Sequence, residues 1–412
     1  MRIRSAASLL FVIIIFEVLA FGLIAFQNES FDLTALIIAA IMVFLLVFQY
    51  LLLTRFFRKM DRYILIIANL FSAVGVIMLY RLNPETALRQ VLFIAVGMAM
   101  MVLVMVIVKN WKTLSQHIYW YMGAGLLLLA STMVLGRTSG GATNWINIAG
   151  IGFQPSEFVK LILVVVLSGL LSGKASFGRI CMAGGFTLLC MGLLMVQRDL
   201  GAALLYFGVF VVLLYVATSK IGLTALSLGA GAGAAVASYH LFPHVQIRVA
   251  VWQNPWLTYE TQGYQIVQGL MAIASGGFFG MGLGLGSPKA IPAYQTDYIF
   301  AVICEEFGII FGLVLVAFYL IFIVRGALIA MACREKFYAL LAFGCTALIT
   351  LQSFIIIAGI IKLIPLTGIT LPFISAGGTS MLTCFMLVGI LEGISIMNGE
   401  DDERELQQEV HA

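Results

Sequence analysis

TDYIFAVICEEFGIIFGLVLVAFYLIFIV, residues 296–324, is an apolar run opened by one carboxylate and carrying two more near its start. As a helix from about Tyr298 to Val324 it is long enough to cross about 30 Å of hydrocarbon. Its apolar residues are continuous, not alternating, so it reads as helix and not strand. The same reading repeats outward in both directions. Spans fall near 8–26, 33–53, 63–80, 90–108, 118–135, 157–172, 180–196, 200–217, 222–241, 298–324, 337–361 and 370–397. Lipid leaves no water for unpaired backbone groups, so such spans must be helices or a closed barrel. The expectation is an all-α polytopic membrane protein with about twelve transmembrane helices. Composition agrees: 62% of the 412 residues are hydrophobic and 10% charged, where a soluble domain carries roughly a quarter charged. Mean hydropathy is +1.07.

Charge placement sets an expected orientation. The cluster RFFRKMDR (55–62), Lys109, Lys112, Lys174, Arg179, Lys220, Arg325, Arg334 and Lys336 fall on one side. Arg81, Arg89, Arg137, Arg198, Arg248, Lys289 and Lys362 fall on the other. The richer side is cytoplasmic by the positive-inside rule, which places both termini inside and the long segment of about 242–297 outside. All eight prolines sit on the outer side in this arrangement. Irregular backbone is therefore concentrated there, where function is commonly carried; outer loops that are merely longer would give the same pattern. The six cysteines include no CxxC pair and no outer-loop framework, so neither a disulfide nor a zinc site is expected. The net charge of +4 reads as anchoring at the inner leaflet, not nucleic-acid binding. The acidic tail 398–412 reads as disordered.

Four segments carry chemistry. The first, GRTSGGATNWINIAGIGFQPSEFVK (136–160), is a glycine-rich loop with Arg137 and Trp145 that enters a helix through Pro155. Glu157 and Lys160 then share a face. They are either a helix-start carboxylate with a snorkelling lysine or a functional pair. The second is the hairpin QRDLG (197–201), where Asp199 either caps the next helix or serves the site. The third includes a helical stretch, ETQGYQIVQGLMAIAS (260–275), and a run of glycines from 276 to 286. It leads to Asp297, Glu305 and Glu306, three carboxylates that packing does not readily explain, although Asp297 also suits an N-cap. The fourth, KLIPLTGITLPFISAGGTS (362–380), breaks the apolar pattern between the last two spans. Such breaks persist at membrane depth when buried in protein or lining a watery cavity. Glu17, mid-way along the first span, is expected to face a partner helix.

In order along the chain, GRTSGGATNWI, QPSEFVKL, QRDLG, SGGFFGMGLGLG, TDYIFAVICEEFG and IPLTGITLPFISAGGTS resemble the SEDS family (shape, elongation, division and sporulation), typified by RodA, FtsW and SpoVE. The resemblance covers residues from about 62 to 397. It implies a ten-helix core, residues 55–397, preceded here by two extra N-terminal helices in 1–54. It also implies a peptidoglycan glycosyltransferase that polymerises lipid II on the outer face of the cytoplasmic membrane, beside a class B penicillin-binding transpeptidase. Asp297 matches the family's essential aspartate. Arg137, Glu157, Lys160, Asp199 and Glu306 match its other polar motif positions, and Thr367 and Ser375 lie in its last outer loop. This sequence departs from the pattern at Asn144, where a basic residue is usual, at Arg198, which replaces a proline, and at Tyr298 and Cys304.

Glycan extension needs a base for the attacking sugar hydroxyl and positive charge for the departing diphosphate. Asp297 is the expected base. Arg137, Lys160, Arg198 and Lys289 are candidate cations, and a divalent ion, Mg2+ or Mn2+, is the alternative. Trp145, Glu157, Asp199, Glu306, Thr367 and Ser375 complete the expected substrate-binding set. The rival reading is a flippase for the lipid-linked precursor, which needs helices and intramembrane charge but no base confined to one face.

Overall fold

The computed structural model describes residues 3–27, 31–111, 113–139, 142–148, 151–173 and 176–411. The chain folds into two compact units. Residues 1–110, 269–332 and 370–412 form the first; residues 111–268 and 333–369 form the second. Among the described residues twelve helices are long and apolar enough to cross a membrane.

The first unit contains α1 (Ile3–Gln27), α2 (Leu33–Phe56), α3 (Arg62–Leu82), α4 (Pro84–Asn110), most of α11 (Tyr264–Gly276), α12 (Ile299–Met331) and α14 (Gly378–His411). α3 is its most enclosed span, packed against α1, α4 and α12. Its start is sealed by charge. Asp61 caps α3 through the Tyr63 and Ile64 N–H groups and pairs with Arg325, and the Asp61 N–H donates to the buried Glu392 at 2.7 Å. α12 is broken at Gly308, whose φ of 86° is open to glycine at little cost. The carbonyls freed there are taken up by the preceding loop: Met281 N–H donates to Glu305 O and Gly282 N–H to Glu306 O, both at 2.9 Å. Glu17 is fully buried in α1, as expected, but neither carboxyl oxygen has a hydrogen-bond partner.

The expected disordered tail is instead the end of α14, which runs to His411. Two causes outweigh its acidic composition. The stretch is rich in strong helix formers, Glu, Arg, Leu and Gln. It also meets opposite charge: Lys59 pairs with Glu403 and donates to Gly399 O at 2.5 Å, and Lys109 pairs with Glu400 at 2.5 Å.

The second unit contains α5 (Ile118–Leu135), α6 (Pro155–Ser172), α7 (Phe177–Val196), α8 (Leu200–Thr218), α9 (Ile221–Leu241), α10 (Pro243–Gln253) and α13 (Lys336–Ile360). α6, α8 and α13 pack on one another, while no residue of α9 is buried. The segment expected as a glycine-rich loop is a small antiparallel sheet of β1 (Arg137–Ser139), β2 (Ala142–Ile148) and β3 (Ile151–Phe153), in that order. Arg137 lies opposite Trp145, and Ile146 opposite Phe153.

Candidate active site

In the first unit, Asp297 stands half-exposed on a turn one residue before Tyr298, the N-cap residue of α12. The turn is built tightly. Ala293 takes a left-handed φ of 54°, and its carbonyl accepts from the Thr296 and Tyr298 N–H groups at 3.1 and 3.3 Å. The last loop grips it from the other side. Ser375 Oγ donates to Thr296 O at 2.6 Å and accepts from Leu371 N–H at 2.9 Å, and Ala376 N–H donates to Gln295 O at 2.9 Å. Gln90 of α4 secures that loop, donating to Ser375 O at 3.0 Å and accepting from Gly377 N–H at 3.3 Å.

The loop itself stores strain. Phe373 has a φ of 64°, which costs roughly 1–2 kcal/mol for an L-residue. Its ring is 2% exposed and lies beside Phe71 and Phe385. Burial of that size returns about 1.5–3 kcal/mol and holds the conformation. Among the described residues, and apart from Ser219 at the end of α8, the non-glycine residues with positive φ are Arg198, Ala293, Lys362 and Phe373. All four lie in or beside the motif segments, where strained backbone tends to cluster.

Glu305 and Glu306 do not share Asp297's setting. Glu306 Oε2 accepts from Gly284 N–H at 2.9 Å, and its other oxygen lies 3.3 Å from Arg81 Nε. Glu305 Oε1 accepts from Ser287 N–H at 3.1 Å. Arg81 also donates to Gly284 O and Gly286 O. These two carboxylates therefore fold the glycine-rich loop. Arg81 was not singled out by the sequence; a lone arginine at a span's end was the available signal. Lys289 is exposed on a short turn in the same loop. An apolar cavity of about 520 Å³ lies between α1, α3 and α12, lined by Leu9, Phe16, Leu70, Phe311 and Arg325. It opens along the half of α12 beyond the Gly308 break from Asp297.

In the second unit, Asp199 is the N-cap of α8. Its Oδ1 accepts from Ala202 N–H at 3.0 Å, and its Oδ2 accepts from Asn144 at 2.7 Å and Gln154 at 3.3 Å. Burial, and to a lesser extent the Glu157 charge, pushes its carboxyl above the usual range, against the hydrogen bonds that lower it. Lys160 is 1% exposed; its ammonium lies 2.5 Å from Glu157 Oε2 and 3.1 Å from Gln352 Oε1. Tyr206, buried on α8, donates to Ser156 O at 2.7 Å and ties the two helices.

Arg198 is exposed on the hairpin with a φ of 63°. Arg248 of α10 donates to the carbonyls of Leu366 and Thr367 at 3.1 and 3.2 Å, and Trp252 donates to Lys362 O at 3.1 Å. Thr367 Oγ1 is buried without a partner. Trp145 is half-buried on β2. The backbone of Arg137 lies in β1, but its side chain falls outside the described residues.

Among the described residues no group of three or more His, Cys, Asp or Glu could hold a metal ion. A half-exposed carboxylate such as Asp297 can supply one oxygen ligand to a divalent ion, which is less than an all-protein cage.

A model of the FtsW/RodA/SpoVE family of cell cycle proteins matches residues 60–399. Peptidoglycan glycosyltransferase RodA of Mycobacterium tuberculosis is 34% identical over 402 residues, covering 90% of this chain and 84% of that protein. Stage V sporulation protein E of Bacillus subtilis is 33% identical over 361 residues, covering 81% and 96%. A chain from a peptidoglycan synthase complex that coordinates polymerization and crosslinking superposes with a TM-score of 0.69 at 26% identity, over 83% of this chain and 98% of its own.

Proposed function

This chain belongs to the FtsW/RodA/SpoVE family and is a peptidoglycan glycosyltransferase, and we propose that it polymerises lipid II with Asp297 as the general base. The observation that carries the assignment is the Asp297 turn: a half-exposed carboxylate on a backbone fixed by Ala293, Ser375 and Ala376. A base held in one geometry can take the proton of the acceptor sugar hydroxyl as its oxygen attacks the anomeric carbon. The glycosidic bond forms as the bond to the polyprenyl diphosphate breaks. Such proton transfer contributes typically about 10²–10⁴-fold.

The leaving diphosphate needs positive charge. Each unit offers an exposed cation on a motif loop, Lys289 in the first and Arg198 in the second. If a divalent ion instead binds Asp297, that residue's role shifts from base to holding the ion beside the diphosphate. Lys160, Glu157 and Asp199 are assigned to framing: they set the start of α6 and the hairpin before α8. Glu306 frames the glycine-rich loop in the same way. Trp145 and Thr367 are assigned to substrate contacts, and Arg137 stays a candidate cation.

The reaction is placed at the outer face of the cytoplasmic membrane, with both termini inside, as the charge asymmetry supports. A class B penicillin-binding protein is the proposed partner. The likeness to a chain of a synthase complex supports that pairing.

Asp297→Asn tests the base. The amide keeps the size and hydrogen-bonding shape but cannot take a proton. Polymerisation of purified lipid II should fall at least about a hundredfold with the melting temperature unchanged. Polymer formation near the wild-type rate would remove Asp297 from the chemistry.

A further inference from the structure

The family match begins at residue 60, so α1 and α2 lie outside it. They are nevertheless attached to the loop that leads to Asp297. Gln27, the last residue of α1, donates from Nε2 to Leu283 O at 3.1 Å. Its next neighbour, Gly284, has a φ of 84°, and a Cβ there would run into the Gln27 amide. Glycine is required at this position both for the backbone and for the close approach.

A second attachment lies alongside. Asp32, the N-cap of α2, accepts from the Tyr80 hydroxyl at 2.6 Å, a bond that holds the Asp32 carboxyl below its usual range. The Tyr80 ring meets Phe21 of α1 edge-on at 5.5 Å. Tyr80 adjoins Arg81, the residue that binds Gly284 O and Gly286 O.

Within 282–287 Leu285 N–H donates to Gly282 O at 3.1 Å, and Ser287 O accepts from Ala290 N–H just beyond it. The loop is also bonded to α3, α12 and Gln27. The N-terminal hairpin holds the carbonyl of Leu283.

We propose that the α1–α2 hairpin is a positioning element for polymerisation, with Gln27 as the positioning residue. It fixes the 282–287 loop, and through that loop the approach of the chain to Asp297. The proposal rests on the reading of Asp297 as the base. Gln27 touches no reacting atom; it acts through the loop.

The test uses the purified full-length protein and two variants. Gln27→Leu removes the donor, and Gln27→Lys keeps one on a side chain long enough to reach the same carbonyl. Hydrogen exchange at the amides of 281–287 and the steady-state kcat and KM for lipid II are measured together. Gln27→Leu should speed exchange in the loop about fivefold, the equivalent of about 1 kcal/mol for one hydrogen bond. kcat should fall by a similar factor, with KM and the melting temperature unchanged, and Gln27→Lys should restore both. Faster exchange with unchanged kcat overturns the positioning role. Unchanged exchange, or a lysine variant no better than leucine, overturns the attachment itself. Asp297→Asn is run in parallel. If it still polymerises, the catalytic reading fails, while the exchange data still decide whether the hairpin holds the loop.

Discussion

Lys160→Met separates framing from substrate contact in the second unit. Lys160 is 1% exposed, 2.5 Å from Glu157 Oε2 and 3.1 Å from Gln352 Oε1. Methionine keeps most of the stem and removes the ammonium. Glu157, whose side chain is 14% exposed, then loses its countercharge, and the Gln352 oxygen loses a donor. Breaking a buried pair by removing one partner costs about 3–5 kcal/mol. Glu157 keeps some water contact, so about 3 kcal/mol is expected. Lys160→Met/Glu157→Gln removes both charges and should recover all but about 1 kcal/mol, because replacing a buried pair whole is often near neutral. The recovery from single to double variant, about 2 kcal/mol, is the mark of two residues in one network. Equilibrium unfolding in detergent reads the stabilities, and lipid II polymerisation reads the function. If Lys160 only frames the site, activity returns with stability in the double variant; if its ammonium meets the diphosphate, the double variant is stable and inactive. A single variant as stable as wild type, or a double variant as unstable as the single, would refute the pairing argument.

Three further outcomes follow from the same geometry. Asp199→Asn keeps the cap on Ala202, and its amide can meet Asn144 Oδ1, which is buried without a partner. The wild-type carboxyl is raised by burial above its ordinary 3.8, so its stabilising contribution is complete below that value and is lost as pH rises through the folded value. The melting-temperature advantage of wild type over Asp199→Asn should therefore shrink from about pH 4 upward; an advantage that grows with pH contradicts the assignment. Ser375→Ala leaves the Thr296 carbonyl and the Leu371 N–H without their partner, a loss of about 1–3 kcal/mol. It should lower kcat more than it raises KM, and the reverse split would make Ser375 a substrate contact instead of a support. Glu17→Leu removes a fully buried, unpartnered carboxyl and should raise stability by about 1–3 kcal/mol; a lower melting temperature would mean that Glu17 has a polar partner.

The spans were legible because each rests on local information: length and continuous hydrophobicity decide a membrane helix without any distant contact. Caps were legible for the same reason, and Asp199 performs the capping role that its place before α8 suggested. Features that depend on distant pairing were not legible. Three-residue strands in a glycine-rich stretch carry no period of their own, and β1 exists because Arg137 lies opposite Trp145. The tail is ordered by Lys59 and Lys109, far away in sequence. The left-handed Phe373 contradicts local preference and survives through its burial.

The same division sorts the acidic residues. On residue type alone Glu157, Asp199 and Asp297 each had a structural reading beside the functional one. Burial and surroundings, which sort them, are properties of the fold. Glu306 is joined to Arg81, Glu305 to the Ser287 N–H, Glu157 to Lys160 and Asp199 to Asn144, Gln154 and a helix start. Each of those bonds shapes a loop or a helix end. At Asp297 the bonds made by its neighbours Gln295, Thr296 and Tyr298 hold the backbone beneath a half-exposed carboxylate. A catalytic group needs that arrangement, because a base must be held in one geometry while its oxygens remain within reach of substrate.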